Sequence, residues 1–361
     1  MKIEMASKEK FKATCKFRRS NGIPVDYLAH LETDRKLRRH LGCDSEEELL
    51  DRLGADFFYL PSRDISQNEG FMEYYKPALD VTETERTCAF GIRWRRGAYD
   101  SKFTVDEAIS GPLENAETQE DILNHRWPTA DDFDFSPLAE IAERHSSRVV
   151  IGGLWSGIMG DAYRLHGFQN FLMNAAAEPE LLKCLIDRVT DVYLELNEAY
   201  FKAVEGNMDV WFFGNDFGHQ GGLLLSKEMW KDFFFENIKR LAALAHGHGL
   251  KVMMHSCGAV SEIIPDLIEA GVDILDPIQV TATGMEPQTL ADQFGGKIVF
   301  HGGVDTQNIL PFGTPEEVAA HAREVAETLN QKGGYIFAPS QILGSDIPLE
   351  NIVAMYEAVN R

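Results

Sequence analysis

Seven short apolar runs punctuate the chain, at 56–62, 148–155, 209–216, 251–257, 273–279, 297–303 and 334–340. Between the later runs lie stretches such as "SKEMWKDFFFENIKRLAALAHGHG", "VSEIIPDLIEAG" and "TPEEVAAHAREVAETLNQKGG". In these, apolar positions recur three and four apart and the pattern usually stops at glycine, the period and stop signal of an amphipathic helix. Strand and helix in alternation predict a parallel sheet with helical crossovers.

The seven runs are clear strand candidates. An eighth is expected between residues 77 and 96, where "ALDVTETERTCAFGIRW" reads equally as a hairpin insertion. Eight strand–helix units make a closed barrel; six or seven would permit a doubly wound sheet. No G-x-G-x-x-G follows the first run and no Walker-type loop occurs, which removes support from the nucleotide-binding sheets. The expected fold is therefore a TIM (β/α)8 barrel. No linker or repeat divides the 361 residues, so a single domain over 1–361 is expected. Residues 1–55 read as a helical extension packed on the barrel, with Ser45 and Gly54 bracketing one helix in "SEEELLDRLG".

Composition narrows the function classes. Thirty-five basic against 57 acidic residues give a net charge of −22, a field that repels phosphate backbones and argues against nucleic acid as a partner. Five irregularly spaced cysteines argue against a disulfide framework and for a reducing compartment. No stretch approaches the ~18 uninterrupted apolar residues of a membrane span, and the N-terminus carries no signal-like run. A cytoplasmic protein with no membrane association is expected.

In a parallel barrel the chemistry sits at the C-terminal ends of the strands, and there the polar residues collect. The third run ends in Asn215-Asp216, followed by His219; the fourth in His255 and Cys257; the fifth in Asp276-Pro277 and Gln279; the sixth in His301, then Asp305; the last in Ser340-Gln341. His255 and Cys257 lie two apart and so share a strand face. An imidazole and a thiolate placed that way suit one tetrahedral zinc, although a catalytic zinc needs a third protein ligand. Asp216 and His301 are the candidates for the third ligand, Asp216 first, and Asp216, His219, His301 and Gln341 are the candidate catalytic residues. His246, His248 and His321 read as surface or helix residues. Trp155, Trp211, Phe212 and Phe217, at or near strand ends, are candidates to wall an apolar pocket.

Four segments, "FFGNDFGHQGG", "MMHSCGAVSEIIPDLIEAGVDILDPIQ", "FHGGVDTQNILPFGTPEEV" and "GGYIFAPSQILGSDIPLENIVAMYEA", together resemble the uroporphyrinogen decarboxylase superfamily. The resemblance is nearest to its methyltransferase-like branch, the methylcobamide:coenzyme M and corrinoid-dependent O-demethylase methyltransferases. It implies a TIM barrel and zinc-assisted methyl transfer between a small donor or thiol acceptor and a corrinoid carried by a partner protein. In those zinc enzymes an H-x-C pair and a later cysteine bind the metal. His255 and Cys257 match the pair, but the later cysteine falls on Gln341 of "APSQ", where the decarboxylases carry histidine. The arginine-bearing segment that grips a many-carboxylate substrate is also missing. The alternative is a metal-independent decarboxylase or lyase acting on a smaller acid.

Overall fold

The computed structural model describes residues 5–19, 22–61, 74–77, 81–99 and 103–360. α1 (Ser7–Thr14), α2 (Leu31–Leu41) and α3 (Glu46–Leu53) precede β1 (Phe57–Tyr59). β2 (Glu85–Thr87), β3 (Arg93–Tyr99) and β4 (Phe103–Ser110) follow, then α4 (Gln119–Leu123) and α5 (Pro137–Arg144). β5 (Val149–Gly152) leads into α6 (Ile158–His166), α7 (Phe168–Ala177) and α8 (Pro179–Ala203). After β6 (Val210–Gly214) comes a small hairpin, β7 (Gly218–His219) and β8 (Gly222–Leu223). α9 (Lys227–Trp230), a π-helical turn (Lys231–Phe235) and α10 (Glu236–Gly247) return the chain to β9 (Lys251–His255). The last third alternates regularly: α11 (Ile264–Ala270), β10 (Ile274–Ile278), α12 (Pro287–Phe294), β11 (Val299–Val304), α13 (Ile309–Phe312), α14 (Pro315–Leu329), β12 (Tyr335–Pro339) and α15 (Leu349–Glu357).

All seven apolar runs are strands of one parallel sheet, in the order β1-β5-β6-β9-β10-β11-β12. The eighth stave is not where the sequence suggests. Within 77–96, β2 and β3 belong with β4 to a separate antiparallel sheet, the hairpin alternative; residues 78–80 lie outside the described set. Closure comes instead from residues 24–26. Asp26 N donates to Phe337 O and Phe337 N to Pro24 O, each at 2.8 Å, which lays this segment along β12. On its other side Asp56 N donates to Val25 O at 2.7 Å, at the entry to β1. The result is a TIM-type barrel whose edges are paired, leaving no open ladder between β12 and β1.

Strand alternation sorts the core. Phe57, Val149, Ile151, Val210, Phe212, Met253, Ile274, Val299 and Ile336 point inward as one buried cluster, while their sequence neighbours pack outward against the helices. Phe11 of α1 joins that inner cluster, edge-on to Phe57 with ring centroids 5.7 Å apart, and stoppers the end of the barrel where the strands begin. Among the described residues no helix is long and apolar enough to cross a membrane.

Candidate active site

Three adjacent strands each place an apolar residue inside the barrel and then, two residues on, a polar one. The pairs are Met253 and His255 on β9, Ile274 and Asp276 on β10, and Val299 and His301 on β11. The register pairs Ile274 with both Met253 and Val299, and Asp276 with His255. The period of two therefore stacks a polar layer directly on the apolar one at the C-terminal mouth.

In that layer Asp276 bridges two imidazoles. Its Oδ2 lies 2.6 Å from His255 Nδ1 and its Oδ1 2.5 Å from His301 Nδ1. His301 Nε2 meets a second carboxylate, Asp26 Oδ2, at 2.9 Å, to which the Tyr59 hydroxyl also donates at 2.5 Å. The other Asp26 oxygen accepts from Tyr27 N at 2.8 Å. Asp26, His255, Asp276 and His301 are all buried. Ionised carboxylates only accept, so His301, facing one from each nitrogen, carries both protons. Burial opposes that charge, yet Asp276 and Asp26 together raise its pKa to about 9. Burial likewise opposes ionisation of Asp276, but the two imidazoliums hold it well below the usual carboxylate range. For His255 the neighbouring Cys257 and Asp276 outweigh burial and raise its pKa well above the ordinary value.

The other side of His255 faces the mouth of the barrel. Its Nε2 lies 3.0 Å from Cys257 Sγ and 3.5 Å from Asp216 Oδ1, and the ligand atoms of these three residues all fall within 4.8 Å of one another. Cys257 N donates to Asp216 Oδ1 at 3.1 Å, fixing the aspartate over the pair. Gly258 lets this loop form: it sits at φ +87°, and a methyl there would lie 2.7 Å from the backbone of Gly218 and His219. The donor set of one imidazole, one thiol and one carboxylate is what zinc takes. Nitrogen and sulfur ligands of a tetrahedral zinc stand about 3.5 Å apart, so the pair would open by a fraction of an ångström. The carboxylate on His255 Nδ1 is the usual support of a metal-bound histidine. These residues fit the ion.

Gln341 approaches the trio without joining it. Its Nε2 donates to Cys257 Sγ at 3.2 Å and its Oε1 accepts from Ile342 N. His219 stands apart, exposed on the β7–β8 hairpin with Nδ1 accepting from Gly221 N. Asp305, Gln279 and Ser340 hold loops: Asp305 accepts from Gln307 N and Asn308 N, Gln279 from Gly258 N, and Ser340 from Thr306 N. His246 pairs with Asp273, His248 with Glu198, and His321 accepts from Asp305 N.

A cavity of about 120 Å³ opens beside the trio. Its apolar walls include Leu28, Trp155, Phe212, Pro339 and Ile342; its polar side is formed by Asp26, His255, Asp276, His301 and Gln341. Trp155 and Phe212 therefore reach it, whereas Trp211 stacks on Phe213 at 4.2 Å and Phe217 packs on Trp230 and Phe234. Sequence reasoning missed Asp26 and Tyr59. The one signal for Asp26 was a lone acid inside the apolar "IPVDYL".

Known proteins share this parallel barrel and stretches of this sequence. The uroporphyrinogen decarboxylase (URO-D) family model matches residues 117–361, and the chain belongs to that family. It is 22% identical over 189 residues to a uroporphyrinogen decarboxylase of Magnetococcus marinus, covering 50% of this chain and 48% of that one. It is 24% identical over 225 residues to a methylated-thiol–coenzyme M methyltransferase of Methanosarcina mazei, covering 61% and 56%. The chain thus spans about half the length of these curated relatives. A solved methyltransferase from Methanosarcina mazei superposes with a TM-score of 0.70 over 99% of each chain at 16% identity, which shows the shared barrel. The matches reach the methyltransferase branch of the superfamily that the sequence motifs resemble.

Proposed function

We propose that this chain is a methyltransferase in which zinc, held by Asp216, His255 and Cys257, assists methyl transfer between a small methyl thioether, ether or thiol and a corrinoid carried by a partner protein in the cytoplasm. The observation that carries this reading is the convergence of three metal-type donors within 4.8 Å at the mouth, beside an apolar cavity. The relative named for methylated-thiol transfer supports the donor class.

A zinc ion there would supply Lewis acidity to a thioether sulfur or ether oxygen, or lower the pKa of a thiol. The chain's own residues prepare the site. Asp276 accepts from His255 Nδ1–H and so turns the Nε2 lone pair outward. His301, locked between Asp276 and Asp26, keeps Asp276 ionised for that task. Cys257 contributes its thiolate, and the Gln341 amide steadies the sulfur from the far side. Trp155 and Phe212 shield the reacting methyl from water.

The rival, a metal-independent carboxy-lyase, draws its support from Gln341, which stands where a further zinc ligand is expected. Against it, the cavity lining carries Asp26 and Asp276 and no lysine or arginine among the described residues, a poor grip for a carboxylate substrate. Elemental analysis and transfer of a methyl group from methyl phenyl sulfide to reduced cobalamin separate the two. Stoichiometric zinc with transfer is expected. Cys257→Ser should remove both, and Gln341→Ala should spare the metal. A metal-free wild-type protein that releases carbon dioxide from a small aromatic acid would overturn the proposal.

A further inference from the structure

Trp155 is seated by a set of close and buried contacts. Its indole lies on the bare backbone of Gly214, the last residue of β6: a methyl at Gly214 would stand 2.1 Å from the Trp155 Cζ2. Gly214 N also donates to Trp155 O at 2.8 Å, tying the two strand ends together. The next residue, Ser156, is buried and held at φ +48°, the left-handed region that a residue with a β-carbon enters only under strain. Side chains enforce it. Asn197 Nδ2 donates to Ser156 Oγ at 2.8 Å, Ser156 Oγ donates to Leu154 O at 3.1 Å, and Asn215 Nδ2 donates to Ser156 O at 3.4 Å. The turn throws the indole into the cavity, edge-on to Phe212 at 5.4 Å and 5.3 Å from the His255 ring.

We propose that Trp155 is the specificity-determining residue of this site. Its indole caps the size of the apolar group that a methyl thioether or ether brings into the cavity, so that a single ring is admitted and a fused pair is refused. The choice of thioethers and ethers as the ligand class rests on the methyl-transfer reading. The size limit rests on the cavity of about 120 Å³, close to the ~150 Å³ that holds one benzene, and on the Gly214 shelf and Ser156 turn that fix its tryptophan wall.

Equilibrium dialysis of the full chain against methyl phenyl sulfide and methyl 2-naphthyl sulfide tests it without requiring turnover, a corrinoid or a partner. Wild type should bind the phenyl compound at least about 10-fold more tightly, the scale on which an apolar pocket rejects a group too large for it. Trp155→Ala should bring the two affinities within about threefold. Gly214→Ala, which leaves the tryptophan in the chain but denies it its shelf, should move the ratio away from the wild-type value. Should the alanine variant not fold, Trp155→Phe takes its place, with an intermediate ratio expected. A wild type that binds both sulfides alike, or neither, overturns the proposal. So does a folded Trp155 variant that keeps the wild-type ratio. A chain that shows the predicted ratios yet transfers no methyl group keeps the filter and loses the activity reading alone.

Discussion

At the scale of single residues, the site turns on Asp276. It uses both oxygens as acceptors, one for each imidazole. Asp276→Asn keeps the shape but offers one acceptor and one donor group, so one imidazole must either give up its Nδ1 proton, and with it its charge, or face N–H with N–H. Breaking a buried pair in this way costs about 3–5 kcal/mol, read as a fall in the urea midpoint, and zinc affinity should drop about 10–100-fold as His255 loses its orientation. His301 sets a second expectation. Its pKa is raised in the fold to about 9 from 6.5, so the stability it contributes is fully present below about 6.5 and is lost as pH rises through about 9. At 1.36 kcal/mol per unit that is roughly 3 kcal/mol. Asp276, depressed in the fold, acts oppositely: its contribution is present above the ordinary carboxylate range and fades as pH falls below it. Urea midpoints between pH 6 and 10 should slope downward for wild type and less steeply for His301→Gln, the slope that remains belonging to His255, whose pKa the fold also raises; equal slopes would remove His301 as the cause. The sequence brought Asp216, His255, Cys257 and His301 to neighbouring strand ends because a period of two plus barrel topology suffices for that. It could not reach Asp26, because that contact spans 275 positions and depends on which segment closes the barrel.

At the scale of elements, seven strands were legible because each is an apolar run bounded by helix-period segments. The closing stave was not, and the reason is physical. Residues 24–26 make few ladder bonds, begin at a proline, and turn only an acid toward the cavity, Asp26, with Val25 and Tyr27 packed in the outer core. A pattern search for apolar interiors passes over such a strand. The 77–96 region misled for the opposite reason, since its apolar residues serve a second, antiparallel sheet. The family model begins at residue 117, so Asp26, Leu28 and Tyr59 enter the site from chain outside the matched region. The helix before the stave has its own task. Phe11 is 4% exposed and fills the lower end of the barrel interior against Phe57. Phe11→Ala should cost about 3–5 kcal/mol, seen as a lower urea midpoint at unchanged slope. A loss under 1 kcal/mol would mean that the inner cluster is closed without it.

At the scale of the whole molecule, the excess of 22 negative charges and the mouth site make competing claims on any divalent ion. An acid surface attracts every divalent cation weakly and is screened by salt. The trio, by contrast, joins the ends of two neighbouring staves, with Asp216 following β6, His255 ending β9 and Cys257 just beyond it, so an ion bound there ties native structure together. An ion held by the native state and not by the unfolded chain stabilises by about 2.7 kcal/mol at one hundred times its Kd. Zinc should therefore raise the melting temperature of wild type, and a chelator should reverse the gain. Because the thiol of Cys257 must lose its proton to bind, the gain should shrink as pH falls. Cys257→Ser should show little of it at any pH. Magnesium at the same concentration and ionic strength is the control, since it meets the surface charge equally well and has no appetite for sulfur. A magnesium shift equal to that of zinc, or a Cys257→Ser shift equal to that of wild type, would assign the effect to the acid surface and leave the barrel mouth without its ion.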